Sequence, residues 1–111
     1  MATQANIFID QGSNYSNIIT VTGTSGAALD LTGYTVASQM RKSFASSTAF
    51  SLNPTIYNAV NGQVRMNLTA GQSEAITPGR YLYDLEITSS GGVKTRVVEG
   101  VATVTPQITQ I

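Results

Sequence analysis

Asp84 and Glu86 stand two apart in Tyr81-Leu82-Tyr83-Asp84-Leu85-Glu86-Ile87, a spacing that puts both carboxylates on one face of a β-strand. Such a pair can serve acid–base chemistry or hold calcium. Lys94 and Arg96 lie in the next strand-like run. An antiparallel return places them beside the carboxylates, so the economical reading is a solvated face whose charges neutralise one another. Other catalytic parts are missing from the sequence. The chain has no His and no Cys, which removes the usual general base, the thiolate nucleophile and the ligands of a tetrahedral zinc site. Asp10, Asp30 and Glu99 are too scattered to read as a metal cluster. Gly91-Gly92 has no helix behind it and so is not a phosphate loop. The expectation is a non-enzyme with no catalytic, cofactor-binding or metal-binding residues.

Binding is the remaining class. Arg41-Lys42 and Arg65 offer a small basic patch, but six basic residues balance six acidic ones, and no long-range field draws the chain to nucleic acid or an anionic membrane. Tyr15, Tyr34, Tyr57, Tyr81 and Tyr83 make up most of the aromatic content. Exposed tyrosines stack on sugars or anchor protein interfaces. Tyr81 and Tyr83 share an apolar strand face and are assigned to the core, which leaves Tyr34 and Tyr57, with the tail residues Ile108 and Ile111, as interface candidates.

The elements that hold these residues are read from periodicity. Residues 5–10 alternate as a first strand with Ile7 and Ile9 on one face, and residues 15–22 form a second β-branched strand. In the connector Leu29-Asp30-Leu31-Thr32-Gly33 the two Leu plug the core end while Asp30 or Thr32 bonds local backbone. Residues 35–42 alternate, with Val36 and Met40 on the buried side. Residues 43–49 read as a loop, and Asn53-Pro54 demotes residues 50–57 to an edge or bend. Asn61-Gly62 is a two-residue turn signal opening the strand of Val64, Met66 and Leu68. Thr69 caps a helix of about two turns, ended by Pro78-Gly79.

The last hairpin fixes its own register. Pairing Glu86 with Arg96 sets Leu85 against Val97 and calls for a loop of three or five residues around Ser90-Gly91-Gly92. A bulge at Val97-Val98 would then turn Val98, Ala102 and Val104 inward. About seven short strands and one brief helix make an all-β fold, an immunoglobulin-like β-sandwich.

A chain of 111 residues with 41% apolar and only 11% charged residues reads as one domain, residues 1–111, with its core at about 5–106 and short extended termini. The low charge leaves Ser, Thr, Asn and Gln to make the surface polar, which suits close packing against other proteins. The N-terminus has neither a basic region nor an apolar core of signal-peptide type, and no apolar run approaches membrane-spanning length. No membrane partner is expected.

The segments LDLTGY (29–34), ASQMRKS (37–43), NGQVRMNLTAGQSEAI (61–76), PGRYLYDLEI (78–87) and VVEGVATVTP (97–106) occur in an order that resembles a group of small tailed-bacteriophage virion proteins. The likeness is to the N-terminal immunoglobulin-like domain of phage upper baseplate proteins, and it covers residues 7–106. It implies a structural, non-catalytic β-sandwich in the virion, assembled in the bacterial host cytoplasm, with other virion proteins or further copies of itself as partners. It also implies a place on the tail and baseplate or on the capsid, the latter as a cement or decoration subunit. A carbohydrate-binding module for a host glycan is the rival reading, and it requires an exposed cluster of Tyr34, Tyr57 or Tyr15. A hydrolase is a third, and needs Asp84 and Glu86 in a cleft.

Overall fold

The computed structural model describes residues 3–23, 26–43, 46, 48–106 and 108. Among the described residues nine strands and one helix follow one another: β1 (Thr3–Gln4), β2 (Ile7–Asp10), β3 (Tyr15–Thr20), β4 (Thr35–Arg41), β5 (Phe50–Ser51), β6 (Thr55–Asn58), β7 (Gln63–Leu68), α1 (Ala70–Glu74), β8 (Gly79–Thr88) and β9 (Lys94–Thr105). Seven of these strands have four residues or more, the number expected, and the extra two are two-residue pieces where the chain breaks or turns.

The strands form a sandwich of two sheets. One sheet runs β1-β9-β8-β4-β5, with β2 on the same side of β9 as β1; the other runs β3-β7-β6. Lettered from the N-terminus, these are A′-G-F-C-C′ packed on B-E-D, the immunoglobulin order with the first strand moved to the G edge and running parallel to it. Tyr81 adds a second hallmark of that fold. Its hydroxyl donates to the Thr77 carbonyl at 2.6 Å, four residues upstream near the start of strand F, in a tyrosine corner.

Alternation built the core. Val64, Met66 and Leu68 from β7 meet Tyr81, Tyr83, Leu85 and Ile87 from β8, all buried, and Ile9, Met40, Val98 and Val104 complete the cluster. Ser38 points inward with Met40, and its hydroxyl is satisfied by donating to the Asp84 carbonyl at 2.5 Å. Leu31 is fully buried in the connector. The Asp30 carboxylate accepts from the Thr32 backbone N–H at 2.9 Å and its hydroxyl at 2.6 Å, bonds that hold its carboxyl below the usual range.

Three local expectations are corrected. Leu85 faces Val98 rather than Val97, because Val97 is itself the extra residue of the bulge, while Glu86 pairs with Arg96 as expected. The connection after β6 spans residues 59–62, longer than a two-residue turn, since Asn58 already pairs with Gln63. The helix has five residues, not two turns. Thr69 and Gln72 close a capping box around it, and Ala75 already caps its C-terminus.

Contacts from far along the chain hold that helix. Ser73 is fully buried, and its hydroxyl donates to the Ser13 carbonyl at 2.7 Å and accepts from the Gly12 N–H at 3.0 Å. The Gln11 amide reaches the Ile76 carbonyl at 3.1 Å. Helix α1 is thereby latched to the β2–β3 turn.

Candidate functional site

The carboxylates Asp84 and Glu86 do share a concave hollow on the outer face of the larger sheet, with Glu99, Arg96, Gln39 and Arg41 around it. Strand alternation puts them there, because Tyr83 and Leu85 take the core side. Arg96 ties Asp84 to Glu99. Its Nε lies 3.2 Å from Asp84 Oδ2 and its Nη1 3.7 Å from Glu99 Oε1, so one guanidinium bridges two carboxylates of adjacent strands. Partial burial pushes the Asp84 carboxyl up, Glu86 adds to the rise, and Arg96 opposes it. Lys94, expected as a second neutralising cation, pairs in register with Thr88 at the loop end of the sheet. No group of three or more Asp or Glu residues is arranged to hold a metal ion among the described residues.

The basic residues do not come together. Arg41 donates to the Ser46 carbonyl at 2.6 Å and to Gln39 at 3.1 Å, pinning the chain that follows β4. Lys42 sits 4.6 Å over the Tyr81 ring. Arg65 lies on the other sheet and donates to the Ser16 hydroxyl at 3.0 Å.

Nor do the tyrosines cluster. Tyr15 is half-buried opposite Leu68, whereas Tyr57 is the unpaired residue of a bulge between Ile56↔Val64 and Asn58↔Gln63. These sites lie about 13 Å apart along β7 at the strand rise per residue. Tyr34 is half-buried against the core, just ahead of β4. Of the interface candidates, Tyr57 is 58% exposed and Ile108 95% exposed, Tyr34 is largely covered, and Ile111 lies outside the described residues.

Tyr83 carries the largest titration effect in this region. Its hydroxyl donates to the Ala5 carbonyl. Burial first, and Tyr15 second, push its phenol from 10.0 up to about 12. Between those values the unfolded chain ionises and the folded chain does not. The stability Tyr83 contributes is therefore complete below pH 10 and is lost as pH rises through about 12. Alkaline unfolding followed by tyrosinate absorbance should weaken along this limb in the wild type, and Tyr83→Phe should flatten it. An unchanged limb would contradict the assignment.

Two surface features lie beyond the interface candidates. Phe8 and Ile18 are 69% and 45% exposed on edge strands β2 and β3. Strict alternation of Tyr15, Asn17 and Ile19 inward would have turned Ile18 outward. Beside β3, an open seam between the sheets is lined by Ile19, Val21, Leu29, Tyr34, Val97 and Val98. Arg96 and Tyr83 border both this seam and the outer hollow.

No protein-family model matches the chain. No curated protein matches it either. Among solved structures, the N-terminal domain of ORF48 from phage TP901-1 superposes with a TM-score of 0.61 over 90% of this chain and 84% of that one, at 8% identity. The chain shares its fold with a phage protein domain. An internalin-like protein of Listeria monocytogenes, lmo2027, gives a TM-score of 0.45 at 10% identity, covering 96% of this chain and 28% of that one. A family 123 glycoside hydrolase from Clostridium perfringens gives 0.44 at 11% identity, covering 97% of this chain and 24% of that one. Superpositions this loose say nothing about function.

Proposed function

We propose that the protein is a structural component of a tailed-bacteriophage virion that joins neighbouring virion proteins without catalysis. The observation that carries this reading is the superposition on the phage ORF48 N-terminal domain, which runs over most of both chains. The ordered motifs from LDLTGY to VVEGVATVTP support it from the sequence side. The Asp84–Arg96–Glu99 bridge supports the non-catalytic part, since it engages two carboxylates of the hollow with one guanidinium.

Mechanically, a charge-poor sandwich adds interface area through its faces and strand edges. Tyr57 and Ile108, with Phe8, Ile18, Val60 and Val93, are exposed among the described residues and offer apolar contacts to neighbours. The subunit is assembled in the host cytoplasm and sits on the tail and baseplate, with the head surface as the alternative address. Immunogold labelling of purified particles, with an antibody against the folded domain, tests both levels. Label at the tail tip supports the baseplate address and label over the whole head a decoration protein. Particles free of the protein would overturn the virion reading.

A further inference from the structure

The two sheets differ in width. The larger presents five columns, with β1 and β2 sharing one, and the smaller only three. The missing column lies beside β3, over the apolar seam. Edges are where sheets recruit further strands, and proteins block them with short length, bulges, charge or proline. Three of the four edges here are blocked. β5 has two residues. β6 follows Pro54 and bulges at Tyr57. The β1–β2 edge is broken at Ala5-Asn6.

β3 has none of these devices. Its six residues, Tyr-Ser-Asn-Ile-Ile-Thr, are uncharged and pair with β7 in one unbroken register. The Val21 N–H continues that register to the Gly62 carbonyl at 2.7 Å. In an antiparallel ladder bonded residues alternate, so Tyr15, Asn17 and Ile19 bond β7 while Ser16, Ile18 and Thr20 turn their N–H and C=O groups to the free side. Among the described residues no backbone bond uses that side.

We infer that β3 pairs antiparallel with β3 of a second copy about a twofold axis at Ile18, joining the two smaller sheets into one of six strands. The register is self-complementary. Ile18 meets Ile18 of the partner, Ser16 meets Thr20, and every pair in which the free N–H and C=O groups lie is a bonded one. No like charges are opposed, because β3 carries none. On the inner face Asn17 and Ile19 of the incoming strand lie over the seam as its missing fourth column. This pairing does not depend on the virion reading.

Sedimentation velocity of the full chain over a concentration series should give a monomer–dimer equilibrium. Amide exchange should slow with concentration at Ser16, Ile18 and Thr20, and not at Tyr57 or Asn58 on the opposite edge. Ile18→Lys, which places two ammonium groups across the axis, should weaken the dimer on the order of tenfold or more. Ile18 is 45% exposed, so the variant should melt like the wild type, and circular dichroism checks this. A monomer at all concentrations, a dimer that Ile18→Lys leaves intact, or a dimer whose Ser16, Ile18 and Thr20 amides stay unprotected would each overturn the inference. So would protection of β3 only in complex with a different virion protein.

Discussion

Replacing Gly100 with alanine is expected to lower the stability of the fold by about 2–3 kcal/mol and to loosen its N-terminal strand. A Cβ at this position would stand 2.0 Å from the Ala5 carbonyl oxygen and 2.7 Å from its carbon. Those are backbone atoms and have no rotamer to escape through. The close approach exists because the chain breaks between β1 and β2 as it crosses β9. The Ala5 N–H bonds the Glu99 carbonyl at 2.9 Å, and the Asn6 side chain stands in for a strand carbonyl by accepting from the Val101 N–H at 3.1 Å. The Tyr83 hydroxyl, opposite Gly100 in the ladder, donates to Ala5 from below. Pushing Ala5 outward strains all three bonds together. The expected signature is faster amide exchange at Ala5 and Val101 with little change in β7. Gly71→Ala is the control: nothing lies within 4 Å of that helical position, and the change should stabilise by up to about 1 kcal/mol. Equal melting temperatures for Gly100→Ala and wild type would show that the N-terminal strand is not seated as described.

The sequence was readable wherever one strand carried its own periodicity. Val64, Met66 and Leu68 declare their face without help, as do Tyr81, Tyr83, Leu85 and Ile87, and all of them are buried. Charge pairing gave the Glu86–Arg96 register, but the residue that bulges depends on how β9 meets β8 and the N-terminal strand, so Leu85 was paired one residue short. The latch of Ser73 to Gly12 and Ser13 joins residues about sixty apart, and the tight seat of Gly100 against Ala5 joins the two ends of the chain. No local pattern encodes such contacts. For the surface, Tyr57 was legible as an aromatic in a proline-interrupted edge. Tyr34 is half-buried against the core and lines the seam, a placement that depends on how the connector folds back and that no local pattern encodes.

These observations shift the weight of the functional argument from side-chain chemistry to edges. In the outer hollow Arg96 bridges Asp84 and Glu99, the bases are dispersed over two sheets, and the aromatics do not gather. What remains unspent is backbone hydrogen-bonding capacity along β3 and the apolar seam beside it. The inferred pairing of β3 extends a sheet, an interaction that needs little charge.

Gly62→Ala should be at least as damaging, at about 3 kcal/mol, because two independent penalties coincide there. Gly62 has a φ of 67°, in the left-handed region that costs an L side chain. An added Cβ would also stand 2.6 Å from the Leu29 carbonyl oxygen and 2.7 Å from that of Val21. Three segments converge on this residue. The Val21 N–H bonds the Gly62 carbonyl at 2.7 Å, the Leu29 N–H bonds Val21 at 2.9 Å, and the Leu31 N–H bonds Ala59 at 2.8 Å. The β6–β7 connection therefore carries the connector that seats the fully buried Leu31. The two penalties separate experimentally. Asparagine tolerates the left-handed conformation better than alanine, yet its Cβ occupies the same space. If the clash dominates, Gly62→Asn and Gly62→Ala should lose similar stability in urea unfolding; if conformation dominates, asparagine should recover a large part of it. With two carbonyl oxygens inside 3 Å of the added atom, the expected result is similar loss for both. A well-folded Gly62→Asn with near wild-type stability would mean that the connector does not dock on this turn.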